Sequence, residues 1–181
     1  MSRCTPTLLP GSECQLPLTT LWLSSVAICG TIPPNNSATG LTRESNMPHL
    51  TQIKVRGYHL DIYQHVNNAR YLEFLEEARW SYLEDSGDVA YFEQLNLAWV
   101  IVNININYRF AATNGQTLEI ATQFSQIGSK SAVIHQVIKI QGTDTVVADA
   151  DITFVCLNRS TGKAALIEGA LKERLEQHLN D

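Results

Sequence analysis

The chain is predicted to fold as an α+β domain, with an antiparallel sheet packed against one long helix. Three observations predict this class: an amphipathic helical segment that starts near residue 68, four strand-like segments that follow it, and glycines at the connections between those strands. One helix on one sheet leaves sheet edges open, and open edges favour a homodimer.

The composition argues against some functional classes and indicates a cellular compartment. A chain of 181 residues with a formal net charge of −5 lacks the basic excess of a protein that tracks nucleic-acid phosphates. Of its four cysteines, only Cys156 lies in the regularly patterned part of the sequence. That part therefore has no disulfide framework and no Cys-x-x-Cys metal site, which is typical of a cytoplasmic protein. We expect Cys156 to be a small core residue.

The sequence changes character at Met47. Residues 1–46 hold five of the six prolines, three of the four cysteines and no sustained helical or strand period. We interpret residues 1–46 as an unstructured or non-native extension and residues 47–181 as the folded domain. A secretory signal is one alternative, because residues 16–30 contain an apolar run of about the right length. A structured extension is the other, and no segment has the length of a transmembrane helix.

The folded part is predicted to begin with a strand and a long helix. Residues 50–58 alternate apolar and polar side chains, as a half-buried strand does. Residues 59–67 form a loop, and Asn67 or Asn68 is suited to cap the helix that follows. That helix is expected to end near Gly87. The residues at helical spacing, which predict its buried face, are Tyr71, Leu72, Leu75, Ala78, Tyr82 and Leu83.

A short helix, four strands and a terminal helix are predicted to complete the domain. The short helix covers residues 89–97, and the terminal helix covers 167–179. The strands, in the order of an antiparallel meander, are 98–110, 116–127, 131–141 and 145–158. Asn103, Asn105 and Asn107 share one face of the first of these strands. We interpret that face as solvent-exposed or a dimer interface, with a pocket contact by one asparagine as the alternative.

Polar side chains crowd the loop immediately before the long helix. The stretch "HLDIYQHVNN" (59–68) places His59, Asp61 and His65 where helix N–H groups point outward and carry partial positive charge. A carboxylate there can act on a carbonyl whose developing negative charge the N–H groups stabilise. A metal site built on the same side chains is the alternative, but it lacks an evident fourth ligand, so no metal is predicted.

This loop and helix resemble the signature of the 4-hydroxybenzoyl-CoA thioesterase family, which has the hotdog fold. In that signature a catalytic Asp precedes a His-Val-Asn-Asn turn and the helix, as in "RGYHLDIYQHVNNARYLEFLEEAR" (56–79). The stretches "TQIKVRGYHLD", "VNININYR" and "VVADADITFVC" are similar to bacterial long-chain acyl-CoA thioesterases of the thioesterase III type. The resemblance covers nearly all of residues 47–181 and none of residues 1–46. It implies a curved antiparallel sheet wrapped around one long helix.

The resemblance also implies a reaction and a set of site residues. The reaction is hydrolysis of long-chain fatty acyl-CoA to the free fatty acid and CoA, without a cofactor. Asp61 matches the family's catalytic carboxylate, acting as general base or as nucleophile; the alternative is that it only caps a turn. His65 is the second catalytic candidate, with a structural histidine as the alternative. The candidate substrate-binding residues are Tyr58, Asn67, Asn68 and Asn103.

Two departures from the family pattern bear on the shape of the site more than on the reaction. The family usually has a glycine three residues after the Asp, where this chain has Gln64. It also often has a Pro-Ala turn and an Asp after the Asn-rich strand, where this chain reads "RFAATNGQ" (109–116).

The residues leave other functions open. A thioesterase of this fold could act on short-chain or aromatic acyl-CoA, or on acyl carrier protein, and a non-catalytic acyl-CoA-binding module would keep the fold without turnover. We expect a cytoplasmic homodimer or homotetramer with an acyl-CoA substrate and without a nucleic-acid or membrane partner.

Overall fold

The structure is a computed structural model that describes residues 47–180, and it has the predicted α+β class. The predictions for residues 1–46 lie outside the described residues. Strand β1 is shorter than predicted, because residues 57–59 form a 3₁₀ turn instead of continuing it. In chain order the elements are β1 (His49–Lys54), the 3₁₀ turn (Gly57–His59), α1 (Asn68–Asp85), α2 (Asp88–Gln94), β2 (Leu97–Tyr108), β3 (Thr117–Ile127), β4 (Ser131–Ile140), β5 (Val146–Asn158), β6 (Lys163–Ala164) and α3 (Gly169–Asn180).

The strands form one antiparallel sheet in the order β1-β3-β4-β5-β2, with the short β6 paired to β5. The predicted meander is correct for β3, β4 and β5. It is wrong for β2, which pairs with β5 instead of its chain neighbour β3. Strands β1 and β2 are therefore the two edges of the sheet.

The connection between β2 and β3 explains this order. Residues 109–116 carry the chain from the edge strand β2 to β3, beside the opposite edge strand β1, instead of making a hairpin. The N–H groups of Arg109 and Phe110 both donate to the Val147 carbonyl at the start of this crossing, at 2.8 and 3.0 Å. At its end, Val55 exchanges hydrogen bonds with the backbone of residues 115 and 116. The crossing therefore places β3 beside β1.

Helix α1 buries one face against the inner surface of the sheet. Tyr71, Phe74, Leu75 and Ala78 are its buried residues, at the spacing of one helical face. They pack on side chains of β3, β4 and β5 in one apolar cluster. Leu72, which we predicted to be buried, is 37% exposed, because it lies on the neighbouring face of the helix.

Both ends of α1 match the sequence prediction. Asn67 is the N-cap, and its side chain accepts a hydrogen bond from the Ala69 N–H. Ser86 is the C-cap, and Gly87 follows it with a φ of +75°, the left-handed conformation that commonly ends helices.

A second apolar cluster joins α2 and α3 to the far half of the sheet. Its members include Phe92 of α2, Leu175 of α3 and Phe154 of β5. The Trp99 ring of β2 stacks on Phe154 at 3.9 Å between centroids. Cys156 is buried in this cluster, as predicted, and burial raises the pKa of its thiol to about 11. The thiol is therefore protonated near neutral pH and is not a nucleophile. None of the helices in residues 47–180 is long and apolar enough to cross a membrane.

Candidate active site

The loop before α1 is a tight hairpin whose tip carries Asp61. The Asp61 N–H donates to the His65 carbonyl at 2.8 Å, and the Gln64 N–H donates to the Asp61 carbonyl at 3.1 Å. Leu60 and Val66 are bridged directly below the tip. Gln64 has a φ of +63°, the left-handed position that closes many three-residue hairpins and that glycine usually fills. The chain therefore reverses sharply, and His65 lies beside Asp61.

Backbone N–H groups of the same hairpin hold the Asp61 carboxylate. Its Oδ1 accepts hydrogen bonds from the N–H of Tyr63 at 2.8 Å and of His65 at 3.3 Å. The hydrogen bonds within residues 47–180 do not include one to Oδ2, and the side chain is only partly buried. Asp61 therefore caps its own turn with Oδ1, and its Oδ2 can accept a hydrogen bond from water or act on a substrate.

Helix α1 begins directly after this hairpin. The N-cap Asn67 accepts from the N–H of Ala69 through its side chain (3.0 Å) and from the N–H of Arg70 through its carbonyl (2.9 Å). The Asn68 N–H has no hydrogen-bond acceptor in the part of the chain that the structure describes. An unpaired N–H in the first turn of a helix carries partial positive charge and can bind an oxyanion.

His59 supports the hairpin from within the fold. Its Nδ1 accepts from the Arg56 N–H at 3.0 Å, and its ring contacts the Phe74 ring with a centroid distance of 4.9 Å. Burial lowers the pKa of His59, and the positive charge of Arg70 lowers it further. His59 therefore acts as a buried support. Within residues 47–180, no group of three or more His, Cys, Asp or Glu side chains is arranged to hold a metal ion.

The crossing segment, residues 109–116, contacts the hairpin on one side. The Val66 N–H donates to the Ala112 carbonyl at 2.9 Å. The Ala112 N–H in turn donates to the hydroxyl of the buried Tyr71 at 3.1 Å, and burial raises the pKa of that phenol. The sequence marked this segment as a departure from the family pattern, but it did not predict that the segment supports the loop of Asp61.

Large apolar side chains are exposed around the hairpin, and of these only Tyr58 was among the predicted site residues. Ile62 is 85% exposed, directly after Asp61. The only signal in the sequence was the presence of such residues in an otherwise polar loop, because they follow no helical or strand period. The exposed set is Tyr58, Ile62, Tyr63 and Phe110.

Comparisons with known proteins agree on one family. The model of the thioesterase-like superfamily matches residues 55–175. The long-chain acyl-CoA thioesterase FadM of Escherichia coli K12 is 58% identical over 127 residues, which cover 70% of this chain and 96% of that protein.

The chain belongs to the thioesterase-like superfamily.

Solved structures agree with this membership. YbaW, a probable thioesterase from E. coli, is 55% identical and has a TM-score of 0.69, with 75% of this chain and 100% of that chain covered. A probable thioesterase from Bartonella henselae is 28% identical with a TM-score of 0.58, covering 68% of this chain and 100% of that one. The predicted family, the hotdog fold and the enzyme class are confirmed: the protein is a thioesterase.

The thioesterase fold brings most of the predicted site residues together. The hairpin and the start of α1 place four of them within one short stretch: Asp61, His65, Asn67 and Asn68. His65 contacts Asp61 through its backbone N–H, and its imidazole is exposed. Tyr58 is on the 3₁₀ turn, with its ring 4.3 Å from that of His59.

Asn103 lies elsewhere in the protomer. Its register partner on β5 is Thr153, whereas the next residue, Ile104, is opposite the fully buried Ile152. Because side chains alternate along a strand, Asn103 is on the outer surface of the sheet, away from α1. The three asparagines of β2 all lie on that surface, as the solvent-face interpretation expects. Asn107 there donates to Asp149 at 2.8 Å.

Proposed function

We propose that this thioesterase hydrolyses long-chain fatty acyl-CoA to the free fatty acid and CoA. The observation that carries the proposal is a carboxylate, Asp61, held by the hairpin that leads directly into α1, in a chain 58% identical to a long-chain acyl-CoA thioesterase. Thioester hydrolysis needs an activated oxygen nucleophile, an oxyanion site and a site for the substrate. The hairpin and α1 supply candidates for each.

Asp61 supplies the nucleophile by one of two routes. As general base it takes a proton from water, the hydroxide adds to the thioester carbonyl, and the C–S bond breaks to release CoA. As nucleophile its free oxygen attacks the carbonyl directly, the C–S bond breaks to release the CoA thiolate and leave a mixed anhydride on Asp61, and water then hydrolyses that anhydride to the free acid and the carboxylate. Both routes use the oxygen that the hairpin leaves without a partner, and the hydrogen bonds to Oδ1 fix its direction.

The Asn68 N–H is our candidate for the oxyanion site. It is in the first turn of α1, where the helix dipole favours negative charge on the reacting carbonyl oxygen. This N–H is positioned before the substrate arrives, because Asn67 already caps the neighbouring N–H groups and the Asn68 carbonyl accepts from the Tyr108 hydroxyl at 3.1 Å.

The remaining predicted residues are assigned to substrate binding. The exposed imidazole of His65, beside Asp61, can orient the attacking water or the thioester. The exposed Tyr58 ring offers an apolar surface at the mouth of the site, and the Asn67 and Asn68 side chains border the reacting carbonyl. Asn103 reaches a substrate only across an interface with a second protomer.

We infer that the thioesterase is a homodimer whose protomers meet along β2. This strand is a sheet edge of 12 residues, and its large apolar side chains Val100, Ile101, Val102 and Ile104 are exposed. A homotetramer would add a contact on the outer surface of the sheet. The acyl-CoA substrate and the single buried cysteine of the domain support a cytoplasmic location.

The first test is Asp61→Asn. We expect turnover of palmitoyl-CoA to fall by about 10²-fold or more with little change in melting temperature, because the amide can neither accept the proton nor attack the carbonyl. Thiol release across short, medium, long and aromatic acyl-CoAs, and acyl carrier protein thioesters, measures the substrate class for both proteins.

Asp144→Asn, an exposed carboxylate in a surface turn, is the matched control and should keep full activity. Full activity of a folded Asp61→Asn variant would exclude Asp61 from the mechanism. Saturable binding of acyl-CoA without release from any thioester would identify a binding module instead of an enzyme.

A further inference from the structure

A buried tyrosine of α1 holds the middle of the crossing segment, residues 109–116. Tyr71 lies one helical turn after the N-cap Asn67 and is 4% exposed. Its hydroxyl accepts a hydrogen bond from the Ala112 N–H at 3.1 Å. Ala112 is fully buried, and within residues 47–180 this hydroxyl is the acceptor for its N–H. The N–H therefore depends on Tyr71 for a partner that water cannot replace.

The crossing segment contacts the sheet at its ends and the hairpin of Asp61 between them. Its first two N–H groups donate to the Val147 carbonyl, and its last two residues exchange hydrogen bonds with Val55. In the middle, the Ala112 carbonyl accepts from the Val66 N–H of the hairpin at 2.9 Å. The Tyr71 hydroxyl therefore connects α1 to the stretch of the segment that contacts the hairpin.

The same contact continues from the hairpin to the Asp61 carboxylate. His65 is bridged to Thr113, the residue directly after Ala112. The His65 N–H donates to the Asp61 Oδ1 at 3.3 Å, and the His65 carbonyl accepts from the Asp61 N–H at 2.8 Å. A shift of Ala112 and Thr113 away from α1 would therefore move His65, and the carboxylate with it.

A second tyrosine holds the start of α1. The Tyr108 hydroxyl donates to the Asn68 carbonyl at 3.1 Å, and its ring is 5.7 Å from the Tyr71 ring between centroids. Burial raises the pKa of the Tyr71 phenol, and the nearby Tyr108 and Asp61 raise it further. The Tyr71 hydroxyl is therefore neutral near pH 7 and acts as a hydrogen-bonding group between the two parts of the site.

We propose that Tyr71 is a positioning residue for the thioesterase reaction. Through the Ala112 backbone, its hydroxyl holds the hairpin where the Asp61 carboxylate reaches a carbonyl bound at the Asn68 N–H. This inference rests on the proposed function, which assigns those two groups to the reaction. Because they are on different elements, their separation depends on such ties, and a misplacement of about 1 Å can cost about 10²-fold in rate.

The first experiment removes the hydroxyl with Tyr71→Phe, which keeps the buried ring. We expect kcat for palmitoyl-CoA to fall about tenfold and KM to stay within about twofold, because the hairpin shifts while the substrate contacts remain. Tyr82→Phe is the matched control, 11 residues further along α1, where the hydroxyl is 2.7 Å from His178 Nδ1. A general loss of stability would affect both variants alike, but the control should keep the wild-type kcat.

A second variant breaks the same hydrogen bond from its other side. Replacement of Ala112 by lactic acid turns its N–H into an ester oxygen but keeps the carbonyl that accepts from Val66. This variant has no unpaired N–H at the position, so it also tests the link if Tyr71→Phe does not fold. We expect the same fall in kcat, and no further fall when both changes are combined. Effects that multiply would show that Tyr71 does not act through Ala112 and would overturn the proposal.

Amide hydrogen exchange separates failure of this link from failure of the proposed function. The N–H groups of Val66 and Tyr63 report on the hairpin, because one donates to the crossing segment and the other to the Asp61 carboxylate. We expect both to exchange about fivefold faster in Tyr71→Phe and at the wild-type rate in Tyr82→Phe, whether or not thiol is released.

Two results for a folded Tyr71→Phe variant would each overturn the proposal: wild-type exchange of these N–H groups, or a wild-type kcat. If the wild type releases no thiol from any thioester, the proposed function fails, and the exchange rates alone decide whether Tyr71 positions the hairpin.

Discussion

The backbone of Gln64 determines how the Asp61 carboxylate is presented. Its left-handed conformation, at a φ of +63°, lets the chain reverse within the residues that follow Asp61. A residue with a Cβ is strained there, whereas glycine is not. The resemblance to the family puts a glycine at this position, and the φ of Gln64 lies in the region that favours glycine.

Gln64→Gly should raise the stability of the thioesterase. We expect a gain of about 0.5 to 1 kcal/mol, because relief of the left-handed strain exceeds the extra entropy that glycine gives the unfolded chain. Chemical denaturation measures the change. Gln52→Gly, at an exposed strand position of β1 without a positive φ, is the control and should lower stability by a similar amount. A lower stability for Gln64→Gly would show that the glutamine is not strained.

At the scale of elements, a buried carboxylate fastens α3 to the start of α2. Asp88 is fully buried and accepts from the Arg174 Nε at 2.8 Å and from the Ser86 hydroxyl at 2.9 Å. His178 Nε2 is 2.7 Å from its second oxygen. Burial raises the pKa of Asp88, but the close contact with His178 and the hydrogen bonds from Arg174 and Ser86 outweigh it and hold the pKa below its usual value of 3.8.

Asp88→Asn should destabilise the domain by about 3 kcal/mol, because it leaves Arg174 and His178 without their anion. Denaturation at pH 7 measures this loss. Asp85→Asn is the control: its carboxylate is mostly exposed and, among residues 47–180, pairs with His49 alone, so the change should be below about 1 kcal/mol. If Asp88→Asn is as stable as the wild type, the ion pairs of Asp88 do not stabilise the attachment of α3.

The stability difference between the wild type and Asp88→Asn should also depend on pH. A carboxyl whose pKa is lowered by folding binds fewer protons in the folded state, so its stabilisation is fully present above about pH 4 and is lost as the pH falls through the lower folded pKa. The stability difference between the wild type and Asp88→Asn should therefore be constant above this range and narrow at more acid pH. Melting temperatures from pH 2 to pH 6 check the trend.

At the scale of the whole molecule, the exposed edge strand β2 is the surface best suited to pair with a second copy of the chain. It is a long sheet edge, and Val102, at an irregularity in its pairing with β5, is 56% exposed. Its exposed apolar side chains and unpaired backbone groups together favour pairing with another β2.

Val102→Lys should convert the proposed dimer to monomers, because it places a charge at the centre of the paired edges. Analytical ultracentrifugation measures the mass. Leu50→Lys makes the same kind of change on the other edge, β1, and should leave the assembly intact. If both variants keep the wild-type mass, the protomers associate through another surface.

Local signals in the sequence were sufficient for the helices and the main strands and for the loop of Asp61, but not for the 3₁₀ turn or the short β6. Asn67 and Gly87 mark the ends of α1 because capping depends on residues within one turn of the helix. The alternating strands and the motif around Asp61 are also local, so their elements and the family follow from short stretches of chain.

Long-range packing decided the rest. The burial of Phe74 in place of Leu72, the position of β2 beside β5, and the contact of residues 109–116 with the hairpin all depend on partners distant in sequence. The pocket between α1, α2 and β2 exists only because those partners bring the three elements together. Local patterns fix which face of an element is apolar, but the pairing of elements is set by the packing of the complete core, which no single segment encodes.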